Sequence, residues 1–88
     1  MEYILTFNNT NHAIKAEQCL LRHGLRVGVL PLPAQISAGC GISLRVCPDD
    51  IETALGALER NAVPEAVVFS RELKKGSYIY EERGTCDE

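Results

Sequence analysis

The feature that most constrains this chain is the order in which its hydrophobic periods change within only 88 residues. Stretches repeating every second residue alternate with two stretches repeating every three to four. Residues 2–7 place Tyr3, Leu5 and Phe7 on one face, the pattern of a first strand. Asn8, Asn9 and Thr10 follow as turn formers and candidate helix N-caps. From about Asn11, Ala13, Ala16 and Leu20 form one helical stripe with Ile14 and Leu21 beside it, and Gly24 stands where a left-handed C-terminal cap belongs. Residues 26–30 read as a second strand that stops at Pro31-Leu32-Pro33, since proline cannot donate to a sheet ladder.

A loop of small residues spans 34–41. Ile42, Leu44 and Val46 then alternate inward along a third strand. Asp49 and Glu52 match the logic of a capping box, and Ile51, Ala54, Leu55 and Leu58 fall at i, i+3, i+4 and i+7 on a second helix closed by Asn61 and Pro64. Residues 66–69 form a fourth strand.

This order, β-α-β-β-α-β, predicts an α+β fold: a ferredoxin-like sandwich with two helices on one face of a four-stranded antiparallel sheet. One domain over residues 1–70 is expected, followed by a tail over 71–88. In that tail Leu73-Lys74-Lys75-Gly76 reads as a turn, 77–80 as a possible short extra strand, and 84–88 as a frayed end. Ile4, Leu30, Val67 and Phe69 fall opposite the helix-facing sets, so the second face of the sheet is not fully polar. The tail or a second copy of the chain is expected to cover it.

Composition removes several function classes. A chain 45% hydrophobic and 24% charged folds rather than staying disordered. Nine basic against twelve acidic residues leave a net charge of -3, which gives no reason to expect a nucleic acid or an anionic membrane as partner. Ferredoxin-like domains include RNA-binding modules that stack bases on aromatics of the central strands, but residues 42–46 contain none. The sequence offers no phosphate-binding glycine loop, no Ser-His-Asp arrangement and no carboxylate pair for hydrolysis. No apolar run approaches a membrane span, and the start of the chain lacks the bases of a signal peptide. A cytoplasmic protein with free thiols is therefore expected.

Four cysteines, Cys19, Cys40, Cys47 and Cys86, carry the remaining chemistry. None is closely paired, and His12 and His23 lie eleven positions apart on one helix, so no metal site and no cofactor are expected. His23 beside Gly24 reads as a favourable charge at a helix C-terminus. Cys19 reads as semi-buried filler, Cys47 as packing at the far end of the sheet from Cys40, and Cys86 as a remote resolving thiol on the tail.

Cys40 is different. The predicted topology brings the loop before the third strand to the end of the sheet where the first helix begins, near Thr10, Asn11 and His12. Helix N-terminal amides favour a thiolate there. Gly39 and Gly41 can adopt positive φ and let another molecule approach the sulfur, and His12 can accept a proton or supply a charge. Glycines flanking a loop cysteine also mark a tight turn around a small buried hydrophobe. Spacing alone leaves both readings open.

Residues 8–44 bear on the choice. The Thr/Asn turn followed by His12-Ala13, Glu17 and Leu20, the strand end Leu30-Pro31-Leu32-Pro33, and Ile36-Ser37-Ala38-Gly39-Cys40-Gly41-Ile42 resemble a family of small bacterial selenium/sulfur carrier-like proteins. The Ser-x-Gly-Cys-Gly loop is the specific part. The resemblance implies that Cys40 carries a persulfide or selenide equivalent between a donor and an acceptor protein, as a carrier rather than an independent enzyme. The Cys-Pro-x-Pro motif of other sulfur-relay proteins is absent, since Cys47-Pro48-Asp49-Asp50 lacks the second proline.

The carrier reading requires an accessible Cys40 sulfur. The competing reading is a non-catalytic ferredoxin-like interaction or regulatory module that dimerises or binds a partner through the open sheet face. A thiol enzyme with its own substrate would need an acid-base partner, and the sequence offers only His12.

Overall fold

The computed structural model describes the backbone of residues 1–63 and 66–85, and the side chains of all of these except 84 and 85. Pro64 and Cys86, read above as a helix stop and a resolving thiol, lie outside the described residues, as do residues 87 and 88. The elements run β1 (Glu2–Thr6), α1 (Thr10–Arg22), β2 (Val27–Pro31), β3 (Ile42–Val46), a 3-10 turn (Pro48–Asp50), α2 (Ile51–Arg60), β4 (Val67–Lys74) and β5 (Ser77–Thr85). They build one antiparallel sheet of order β2-β3-β1-β4-β5.

The order of periods dictates this layering. β1 lies between β3 and β4, with Leu5 paired to Leu44 on one side and to Val68 on the other. Those residues, with Phe7 and Val46, meet Ala13, Ala16 and Leu20 of α1 and Ala54, Ala57 and Leu58 of α2 in a single core. Both helices therefore share one face of the sheet. Small residues let them approach closely, and the buried Cys19 thiol donates to the Ala57 carbonyl at 3.6 Å. Cys19 is thus fully buried rather than semi-buried. Ile14 and Leu21, beside the α1 stripe, are exposed.

Local chemistry sets the boundaries. Asn9 caps α1, its side-chain oxygen accepting from the His12 amide at 2.9 Å, so the helix begins at Thr10. Gly24 takes φ 77°, the left-handed C-terminal conformation that glycine permits. His23 Nδ1 lies 2.9 Å from the Cys19 carbonyl and satisfies a helix-end acceptor. The capping box expected from Asp49 and Glu52 does not form. Pro48 starts a 3-10 turn that takes in Asp49, Asp50 becomes the N-cap, and no side-chain cap bond is made. Pro31 is the last residue of β2 and lies on an edge strand, where a missing N–H is tolerated.

The sheet has five strands rather than four. β4 continues to Lys74, and the reversal needs only Lys75 and Gly76, since Lys74 pairs with Ser77. Both turn residues have positive φ, 51° and 82°, the geometry that matches the right-handed twist of the flanking strands. β5 extends the sheet edge and does not fold over the second face. On that face Glu2 of β1 accepts from Arg71 of β4 and lies 3.6 Å from Arg45 Nε of β3. The Arg71 guanidinium also stands 4.3 Å over the Tyr78 ring. Burial opposes the charge of Arg71, but Glu2 and Tyr80 outweigh it and hold its pKa above the ordinary arginine value. Ile4, paired with Arg45 and Phe69, is fully buried, so the face is a mixed surface with an ionic seam. Among the described residues no helix is long and apolar enough to cross a membrane.

Two substitutions test this account. Leu44→Ala, which empties a fully buried site on β3, is expected to lower unfolding stability by about 2–5 kcal/mol in urea titration. Lys75→Asn, which puts a residue tolerant of left-handed φ at this turn, is expected to raise it by about 0.5 kcal/mol.

Candidate functional site

The end of β1 organises the site. Phe7 drops into the core, Asn8 crosses the sheet end, and Asn9 fixes the start of α1. Thr10, the first residue of α1, then faces the loop that precedes β3. The Cys40 sulfur lies 3.8 Å from Thr10 Oγ1 and can donate to it, while the Ile42 amide donates to the sulfur at 3.5 Å. For a thiolate the Thr10 hydroxyl can turn to donate, giving the anion two donors beside the N-terminus of a 13-residue helix.

The sulfur is covered. Cys40 is only 3% exposed and belongs to the hydrophobic core with Leu5 and Phe7. This corrects the expectation of an accessible sulfur, and the reason is the packing of the loop. Residues 32–41 carry few backbone bonds, from Leu32 N–H to the Gly41 carbonyl at 2.9 Å and from Ile36 N–H to the Pro33 carbonyl at 3.0 Å. Ile36, 6% exposed, anchors the segment. Gly39 lies directly on the Asn8 backbone. A Cβ there would overlap the Asn8 carbonyl oxygen and lie 2.9 Å from its carbonyl carbon.

The two glycines thus differ. Neither has the positive φ allowed for in the sequence reading. Gly39 is required by close approach of backbone to backbone, whereas Gly41 faces open space. The other expected supports are not gathered at the sulfur. Asn11 is exposed, and His12 Nε2 lies 3.4 Å from Asn9 Nδ2 with Nδ1 buried and lacking a hydrogen-bond partner among the described residues. Ser37 is exposed on the outer side of the loop. Among the described residues no hydrogen bond joins Asn11, His12 or Ser37 to Cys40.

Sequence reasoning missed Asn8, whose carbonyl meets Gly39, and the Ile42 amide. The Asn8 contact follows from chain crossing, which no local pattern announces. The amide was implicit in the start of β3.

Cys19, Cys40 and Cys47 are free thiols. Cys19 is spent on the Ala57 carbonyl, and Cys47 lies half-buried past the opposite end of β3. Among the described residues no three metal-ligating side chains cluster.

The glycine contrast is directly testable by denaturant unfolding. Gly39→Ala is expected to cost about 1–3 kcal/mol, because the loop must lift from Asn8. Gly41→Ala is expected to stay within about 0.5 kcal/mol of the parent.

The model of one protein family, described as "Putative Se/S carrier protein-like", matches residues 2–70. That stretch runs from β1 into β4 and includes both helices and the Cys40 loop. No curated protein and no solved structure gives a significant match. With most of its length matched, the chain belongs to the Se/S carrier protein-like family.

Proposed function

We propose that this protein is a thiol-based carrier in which Cys40 accepts sulfur or selenium from one protein and passes it to another. The observation that carries the reading is one sulfur at a helix start that accepts from the Ile42 amide and lies 3.8 Å from Thr10 Oγ1, a hydroxyl able to donate to its anion. Family membership supports the cargo class and implies protein partners for its transfer. The order β2-β3-β1-β4 with both helices on one face supports a ferredoxin-like reading of residues 1–70, with 71–88 appended.

The chemistry balances without an external oxidant. The Cys40 thiolate attacks the terminal sulfur of a donor persulfide. A new S–S bond forms to Cys40, the donor's S–S bond breaks, and the donor leaves as a thiolate. The acceptor's thiolate then attacks the terminal sulfur on Cys40 and releases the Cys40 thiolate. A terminal selenium follows the same course. Because the sulfur is buried, each transfer requires the 32–41 loop to lift. Its sparse backbone bonding, with Ile36 and Cys40 as its buried residues, favours a local rather than a global opening.

Burial of Cys40 also favours a second reading, a non-catalytic module that dimerises or binds a partner through the mixed sheet face opposite the helices. Intact-mass measurement after incubation with a protein persulfide, or with a protein carrying terminal selenium on a cysteine sulfur (S–Se), separates the two. The carrier reading expects one added sulfur or selenium on the wild type and none at this site in Cys40→Ser. Equal addition to both proteins, or none to either, contradicts it.

A further inference from the structure

A cleft of about 210 Å³ opens where the sheet face away from the helices meets the outer side of the Cys40 loop. Val67, Phe69 and Ala38 are among its apolar lining residues, and Thr6, Asn8, Ser37 and Glu82 are its polar ones. Glu82 pairs with Phe69 across β4 and β5, so its carboxylate stands beside that ring. Glu2, Glu72 and Glu81 each pair with a cation, whereas Glu82 has no ion-pair partner among the described residues. The volume is below the range of about 300–1,000 Å³ usual for small-molecule sites, and a small cleft of mixed lining that includes an unpaired carboxylate suits an aliphatic stem that carries a positive charge.

We infer that this cleft receives one lysine or arginine side chain of the protein that exchanges sulfur or selenium with Cys40. The stem lies along Val67 and Phe69, and the charge meets Glu82. The identity of that partner rests on the carrier reading above, while the basic chemistry of the occupant rests on the cleft alone. Glu82 lies on β5, beyond the residues that the family model matches, so the family does not supply this site.

The cleft and the sulfur share a wall. Ser37 and Ala38 line the cleft, Gly39 packs on Asn8, and Cys40 follows on the core side. A side chain that enters the cleft therefore touches the segment that covers the sulfur, so a seated partner is brought next to the loop that must open.

The test is a titration followed by amide NMR shifts, with N-acetyl-lysine amide, N-acetyl-arginine amide and, as the uncharged stem, N-acetyl-norleucine amide. At least one basic compound is expected to shift the amides of Asn8, Ser37, Ala38 and Glu82 saturably. Glu82→Gln is expected to weaken that binding about three- to fivefold, and norleucine amide to bind weakly to both proteins. Absence of saturable shifts, equal binding of norleucine amide to the wild type, or an unchanged affinity in Glu82→Gln overturns the inference. Loading of Cys40 is read by mass on the same sample. Loading without basic-side-chain binding removes the cleft assignment alone, and binding without loading removes the carrier reading alone.

Discussion

The contact of Gly39 with the Asn8 carbonyl holds the candidate site together, and it exists because β1 is the central strand. β1 is paired on both sides, so its C-terminal end is fixed in space. Residues leaving that end must cross the sheet before α1 begins. The loop before β3 reaches the same end because β3 is the antiparallel neighbour of β1. Two backbone segments then lie against each other with no room for a side chain between them. That close approach puts Cys40 on the core side of the loop and leaves Ser37 and Ala38 on the outer side.

The consequence is a sulfur that has a hydrogen-bond donor beside it but is sterically covered. The Ile42 amide donates to it and Thr10 Oγ1 lies 3.8 Å away, while Leu5 and Phe7 share the core that shields it. Cys19 shows the contrast. Its thiol is spent as a donor to the Ala57 carbonyl in the middle of the helix layer. A reactive thiol that is exposed at all times is open to oxidation in solution, whereas a covered one reacts only when its loop moves. In the proposed carrier role, that restriction limits reaction of the sulfur to moments when the loop is open.

Much of the fold was legible in the sequence because the core obeys period. Tyr3, Leu5 and Phe7, the β3 alternation, and the Ala13-Ala16-Leu20 and Ala54-Leu58 stripes all face the shared core. The fifth strand was only half legible. Residues 77–83 are mostly exposed, so no buried face imposes a period, and although 73–76 read as a turn, Lys75 is not a residue that signals positive φ. The capping box failed because Pro48 imposes a 3-10 turn before α2, and proline geometry overrides the Asp49–Glu52 spacing. At the site, topology correctly placed Cys40 against Thr10. It did not reveal burial, because coverage by the 32–41 loop depends on Ile36 and Gly39 meeting residues far away in the chain.

The central claim is that Cys40 is reached by local opening of its loop. Site-resolved alkylation of the native protein, with Cys40 and Cys19 followed separately by peptide mass, tests this most directly. The account predicts that Cys40 is modified well before Cys19, at a rate above that of global unfolding and little affected by mild stabilisation of the whole fold. Modification of Cys40 and Cys19 at one common rate, set by global unfolding, would contradict it.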